Sequence, residues 1–365
     1  MTHRQAGLLM AVSSLPGTMG IGDFGKSAYE FVNRLSRTEA SIWQILPLNP
    51  VGYGNSPYQT YSSFAGDEIY ISIEQLFEEM NLDFNFNPIV SEKADYDHAR
   101  LIKREYLAQA FEHFKKDESY KAFVKRAFWL DEYAQFMALR QANNFTTWTD
   151  WTVFKADQQK VELEKFIQYV FYTQWMDLKR YANAHGLSIM GDIPIYLGHD
   201  SHEVYFNREY FYLDEDGRPT LVAGVPPDYF STEGQLWGNP IYNWDVMKKT
   251  NYKFWVERLG WNQHLFDTIR IDHFRAFDTY WVIDAKETTA INGEWRIGPR
   301  NDFFDAIYAQ IEDLDLVVED LGDLRPEVLE LRDDYDLMGM QIIQFALKPE
   351  EIKRDETMSE NILAY

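Results

Sequence analysis

Residues 267–277 read "DTIRIDHFRAF". An apolar, β-branched stretch ends in an acid, Asp272, with Arg270 two residues before it, His273 directly after and Arg275 just beyond. Burying charge is costly unless the charge is paired or put to use. The run therefore reads as a buried strand whose C-terminal end carries working groups. Alternate residues of a strand share a face, so Arg270 is expected to bond Asp272.

Six further apolar runs have the same look: "GLLMAVS" (7–13), "IWQILPL" (42–48), "LSIMGDIPI" (187–195), "LDLVVED" (314–320), "GMQIIQFA" (339–346) and "NILAY" (361–365). Runs that are apolar on both faces are typical of parallel strands. Helical patterns separate most of them, among them "GKSAYEFVNRLSR" and "NYKFWVERLGWNQHLF", and "RPEVLELRDDY" with Pro326 near a helix start. Strand–helix alternation over seven strands predicts a (β/α)₈ TIM barrel rather than an open sheet of five or six strands. Residues 67–186, rich in helical patterns, are expected to form a helical insertion within the barrel. Residues 196–250, rich in Gly, Pro, Tyr and Trp, read as a loop-rich insertion over one barrel face. The sequence stops inside a strand-like run where a closed barrel needs an eighth strand, so the barrel over 1–365 is expected to be incomplete and the chain a piece of a longer one.

The net charge of −23 repels phosphates, which argues against nucleic acid and anionic membranes as partners. A neutral ligand meets no such penalty. Without cysteine there are no disulfides or thiolate metal sites. No apolar run reaches the roughly 18 residues of a membrane span. The start, "MTHRQAGLLMAVSSLPG", is explained by a buried first strand as well as by a signal peptide, and a cytoplasmic protein is expected.

Three strand ends carry acids: Asp192, Asp272 and Glu319. Any one of them is explained as well by a helix cap or a salt bridge, but C-terminal strand ends converge on the active site of a barrel enzyme, and the recurrence favours a site. Paired carboxylates suit glycoside chemistry, one as nucleophile and one as proton donor, provided their surroundings push the two acidities apart. Arg270 and Arg275 bring positive charge near Asp272. Glu319 follows "LVV", and an apolar setting beside a second carboxylate raises its pKa. The ordering is thus Asp272 as nucleophile and Glu319 as acid/base. Aromatic loops, "GYGNSPYQTYSSFAG" (52–66) and "AGVPPDYFSTEGQLWGNPIYNW" (223–244), suit a sugar site, with Tyr58, Tyr229, Phe230 and Trp237 able to stack on pyranose rings. "GIGDFG" (20–25) matches a dinucleotide fingerprint literally, but "SLPGTM" breaks the tight strand-to-helix turn that motif needs. His199 and His202 in "HDSH" lack a third ligand, so no metal is expected, and no cofactor.

Together "SSLPG", "WQILPLNPVGYGNSPYQTYSSFAGD", "GDIPIY", "GRPTLVAGVPPDYFSTEGQLWGNPIYNWD", "RIDHFRAF", "EDLGD" and "GMQIIQFA" resemble the 4-α-glucanotransferases (amylomaltases) of glycoside hydrolase family 77, from about residue 7 to the end. The resemblance implies a (β/α)₈ barrel of the α-amylase superfamily with inserted subdomains. It implies transfer of α-1,4-glucan segments, with retention, to another sugar's 4-hydroxyl through a covalent glucosyl-enzyme. The expected partners are α-1,4-glucans and maltooligosaccharides, with glucose or maltose as acceptor. Carried over by motif, Asp272 is the nucleophile and Glu319 the general acid/base. Arg270 holds the nucleophile, His273 lines the site and Asp192 lies near it. Ser56, Tyr58, Tyr229, Phe230, Gln235 and Trp237 contact sugar. The family's third carboxylate, in a His-Asp-Asn motif after the seventh strand, is not within the 365 residues, and Leu347-Lys348 stand where the family has an aromatic and an acid. Two other readings fit the same residues: a retaining α-glucoside hydrolase, and a non-catalytic glucan-binding protein.

Overall fold

The computed structural model describes residues 5–89, 92–229, 231–322, 324–343 and 361–365. They form two compact units, one from residues 5–189 with 200–206, the other from 190–199 with 207–365.

In the first unit, β1 (Ala6–Leu9) and β2 (Ala40–Gln44) pair in parallel, joined by α1 (Lys26–Leu35). α1 buries Ala28, Val32 and Leu35, one stripe at helical spacing. The helices α2 (Ile73–Glu79), α3 (Tyr96–His113), α4 (Glu118–Arg126), α5 (Leu130–Ala142) and α6 (Gln158–Ala184) follow. Sequence marks several of their starts. Asp95, Asp117 and Asp157 each accept a first-turn N–H, capping α3, α4 and α6.

α3 also pins the chain that follows the first aromatic loop. The ammonium of Lys103 is fully buried and has three acceptors: Asp23 Oδ2 at 2.8 Å, the Ile69 carbonyl at 2.7 Å and the Ile71 carbonyl at 2.8 Å. About one turn before it, Arg100 pairs with Asp67 at 2.6 Å, and the next residue, Arg104, pairs with Glu68 at 3.1 Å and with Glu164. Asp67 accepts from Val51 N at 3.1 Å, and Gly52 N donates to the Gln59 carbonyl at 2.7 Å. These bonds close the loop that carries Ser56 and Tyr58. From the short α7 (His202–Phe206), buried Glu203 holds the loop's far end through Ser63 N and, at 2.8 Å, Ser63 Oγ.

The second unit has a parallel layer, β3 (Ser188–Ile193), β6 (Thr268–Ile271) and β9 (Leu316–Val318), with β6 in the middle. An antiparallel sheet runs in the order β5 (Gln235–Pro240), β4 (Leu221–Val225), β7 (Thr279–Asp284), β8 (Gly293–Ile297). β10 (Gly339–Gln341) and β11 (Ile362–Ala364) form a parallel pair. α8 (Trp244–Lys249) and α9 (Lys253–Leu265) lead into β6, α10 (Arg300–Tyr308) leads into β9, and α11 (Pro326–Asp334) follows it. Their core is aromatic: Trp255 packs on Phe277 and Phe303 at 5.5 and 5.4 Å between ring centres.

Each of the seven apolar runs contains a strand. The stretch 196–250, read as loop, holds β4 and β5 as well: β4 finds its second partner, β7, only at residues 279–284, and β5 (QLWGNP) carries Gly and Pro. Among the described residues no helix is long and apolar enough to cross a membrane.

Candidate active site

β6 sits between two parallel neighbours, so its C-terminal end is flanked by the ends of both. Arg270 lies opposite Asp192 of β3 and Val317 of β9. The Arg270 guanidinium bridges two carboxylates, Nη1 to Asp192 Oδ1 at 2.7 Å and Nη2 to Asp272 Oδ1 at 2.9 Å. Its Nε meets Met340 Sδ at 3.3 Å. Asp192 is buried, whereas the Asp272 side chain keeps 31% of its surface exposed, so one of the two acids anchors the arginine and the other remains accessible.

Beyond Asp272 the backbone turns sharply. His273 adopts a left-handed conformation, φ 55°, which is uncommon for a residue with a side chain. The turn sends its N–H to Glu319 Oε2 at 2.8 Å, and Phe274 N donates to the Glu319 carbonyl at 3.0 Å. Glu319 in turn donates its own N–H to the Ile271 carbonyl at 2.9 Å.

Burial first, and the charge of Asp272 second, push the Glu319 carboxyl up to about 7, against the opposing His273 N–H and Arg270. A carboxylic acid that holds its proton near neutrality can serve as a general acid. The His273 imidazole is pushed down to about 4 by burial and by Arg275, so it is neutral at pH 7. Its ring stands edge-on to Trp237 of β5 at 4.9 Å, and Trp237 Nε1 donates to Gln235 Oε1 at 3.1 Å.

Thus Asp192, Arg270, Asp272, His273, Glu319, Gln235 and Trp237 belong to one unit. Tyr229 is on the β4–β5 loop of that unit and is 97% exposed. Phe230 lies outside the described residues. Ser56 and Tyr58 sit on the 51–60 loop of the first unit, where Tyr58 N donates to Ser56 Oγ at 3.4 Å.

Arg275, read from sequence as a neighbour of Asp272, lies over the Trp295 ring at 4.0 Å. His199 Nε2 bonds the Gly217 carbonyl at 2.8 Å, while His202, in the first unit, is buried beside Glu203. Two supporting groups escaped the sequence reading. Met340 is an apolar residue in an apolar run and carried no signal. Asp320 stands next to Glu319, a doubling that was legible. It accepts from Arg332 Nη1 and Met340 N, both at 2.7 Å, and so fixes the strand that delivers Met340 to Arg270.

Parallel strands alternating with helices, with acids gathered at their C-terminal ends, define a barrel-type carbohydrate enzyme class. The chain belongs to the 4-alpha-glucanotransferase family of glycoside hydrolases, whose sequence profile matches residues 10–365. It is 41% identical to the 4-alpha-glucanotransferase of Streptococcus pneumoniae serotype 4, over 96% of this chain and 74% of that protein. Against the 4-alpha-glucanotransferase of Thermus thermophilus the identity is 41%, over 94% and 73%. The amylomaltase from Streptococcus agalactiae in complex with acarbose superposes with a TM-score of 0.90 at 35% identity, covering all of this chain and 79% of the other. The fold is therefore that of the amylomaltases, a (β/α)₈ barrel with insertions.

Proposed function

We propose that the protein transfers α-1,4-glucan segments between sugars with retention of configuration, using Asp272 as nucleophile and Glu319 as acid/base. The observation that carries this reading is the pairing of a protonated acid with a carboxylate across one backbone turn. Burial and Asp272 hold Glu319 protonated up to about pH 7, while Arg270 grips one oxygen of Asp272.

In the first step Asp272 Oδ2 attacks the anomeric carbon. The bond to the glycosidic oxygen breaks, the Glu319 proton goes to that oxygen, and the reducing-end segment leaves. A glucosyl ester on Asp272 remains. In the second step the 4-hydroxyl of an acceptor attacks the same carbon, its proton returns to Glu319, and the Asp272 carboxylate is released. Two inversions give net retention.

The neutral His273 is suited to hydrogen-bonding a sugar hydroxyl, and Asp192 keeps Arg270 in place. Trp237, Tyr229 and Phe230 are assigned to pyranose faces, and Gln235, Ser56 and Tyr58 to sugar hydroxyls. The donors are maltooligosaccharides and longer α-1,4-glucans, the acceptors glucose or maltose. Residues 67–186 and 196–250 are assigned as insertions of the barrel.

Incubation with maltotriose tests the reading. Transfer gives glucose and a ladder of longer oligomers at constant reducing-end number, whereas hydrolysis adds reducing ends without the ladder. Asp272→Asn is expected to lose at least about a thousand-fold in rate, the scale of removing a nucleophile from such a site. Wild-type transfer by that variant would remove Asp272 from the role.

A further inference from the structure

Arg270 meets Asp192, Asp272 and Met340 with the three sides of one flat group. Nη1 and Nη2 go to the two carboxylates, and Nε donates to Met340 Sδ at 3.3 Å. A guanidinium is rigid and planar, so fixing the direction of its Nε–H fixes where both Nη groups point. A thioether is a neutral, weak acceptor. It orients the Nε–H without competing for the positive charge, as a third carboxylate would.

Met340 is itself tied to the strand end that carries Glu319. Asp320, the next residue, accepts Met340 N with Oδ1 and Arg332 Nη1 with Oδ2, both at 2.7 Å. Its carboxylate passes over Gly339, where a Cβ would stand 2.5 Å from Asp320 Oδ2 and 3.0 Å from Arg332 Nη1. A side chain at 339 would push the carboxylate off the Met340 amide. Val318 N of β9 donates to the Met338 carbonyl at 2.8 Å, a second tie to the same segment.

The two carboxylates on Arg270 are unequally placed. The Asp192 side chain is 2% exposed and has little water to replace its arginine, whereas that of Asp272 is 31% exposed. A guanidinium without its Nε partner therefore turns about the Asp192 bond and releases Asp272. We infer that Met340 is a positioning residue for the nucleophile. Its sulfur keeps Arg270 turned toward Asp272, and Asp320 acts one step further back by holding the Met340 backbone. The inference deepens the transfer reading above and rests on it.

Met340→Leu in the full chain conserves volume, which protein interiors tolerate, and removes the acceptor. Two donors separate an effect on Asp272 from one on Glu319. Maltotriose needs the Glu319 proton. With α-maltosyl fluoride, Asp272 Oδ2 bonds the anomeric carbon as the carbon–fluorine bond breaks, and fluoride leaves without a proton. The variant should lose about five-fold in kcat/KM on both donors, all of it in kcat, with KM within about two-fold. Met340→Gln, whose side-chain oxygen accepts the same N–H, should recover most of the rate, which a merely structural role would not. A wild-type rate for Met340→Leu overturns the inference. So does a loss confined to maltotriose, which would place the effect on Glu319. The crystal structure of Met340→Leu should show Arg270 Nη1 still on Asp192 and Nη2 out of hydrogen-bond reach of Asp272, and a guanidinium left in place overturns the inference. If the unaltered protein neither transfers nor hydrolyses, the functional reading fails on its own, and the position of the guanidinium still decides the role of Met340.

Discussion

Glu319 and His273 titrate in opposite senses, and together they give the site its pH signature. Burial and Asp272 raise Glu319 from 4.5 to about 7, so between these values the folded protein keeps a proton that the unfolded chain has released. Stability therefore falls as pH rises through that window. Burial and Arg275 lower His273 from 6.5 to about 4, so there the unfolded chain holds the extra proton and stability rises with pH. The slopes oppose each other from pH 4.5 to 6.5, and above that only the Glu319 cost remains. Glu319→Gln should remove it. The variant is expected to be more stable than the parent at pH 8, by up to about 3 kcal/mol, with the gap closing at pH 4.5. Urea midpoints at the two pH values check this, and an equal gap at both would contradict the burial cost. The acids were legible in the sequence because they end apolar runs. The fate of Arg275 was not, since its partner Trp295 lies on a hairpin twenty residues downstream and nothing local signals that stacking.

At the scale of elements, β3, β6 and β9 were readable because burial makes them continuous apolar words, whereas β1, apolar in sequence and expected to be buried, is exposed along its length. The antiparallel sheet was not, because its strands come from segments as far apart as 221 and 297 and β5 and β8 are partly exposed, so they carry no continuous apolar run. The start of α11 was readable from Pro326, but the inward use of α3 was hidden. Arg100, Lys103 and Arg104 look like an ordinary solvated face in sequence and instead are directed at buried carboxylates and carbonyls. Lys103→Met should leave Asp23 and the Ile69 and Ile71 carbonyls without their donor. The expected loss is about 3 kcal/mol of unfolding free energy, measured by denaturant titration. A loss below about 0.5 kcal/mol would mean that water replaces the ammonium.

For the whole molecule the dominant quantity is its charge of −23. Its proposed substrates carry none. Salt compresses the field of the surface without altering what an uncharged glucan meets. KM for maltotriose should stay within about two-fold as ionic strength rises to about 0.5 M, while polyanions should not bind at any salt. A strongly salt-dependent KM would point to a charged ligand instead.

The left-handed turn at His273 has a mechanical consequence. Asp272 precedes the turn, and the turn's own amide grips Glu319, so one short piece of backbone acts as the caliper between attack and proton delivery. A caliper this small barely stretches when the rest of a protein loosens with heat. Warming should therefore erode sugar binding, which relies on long loops, well before it changes the gap between the two carboxylates.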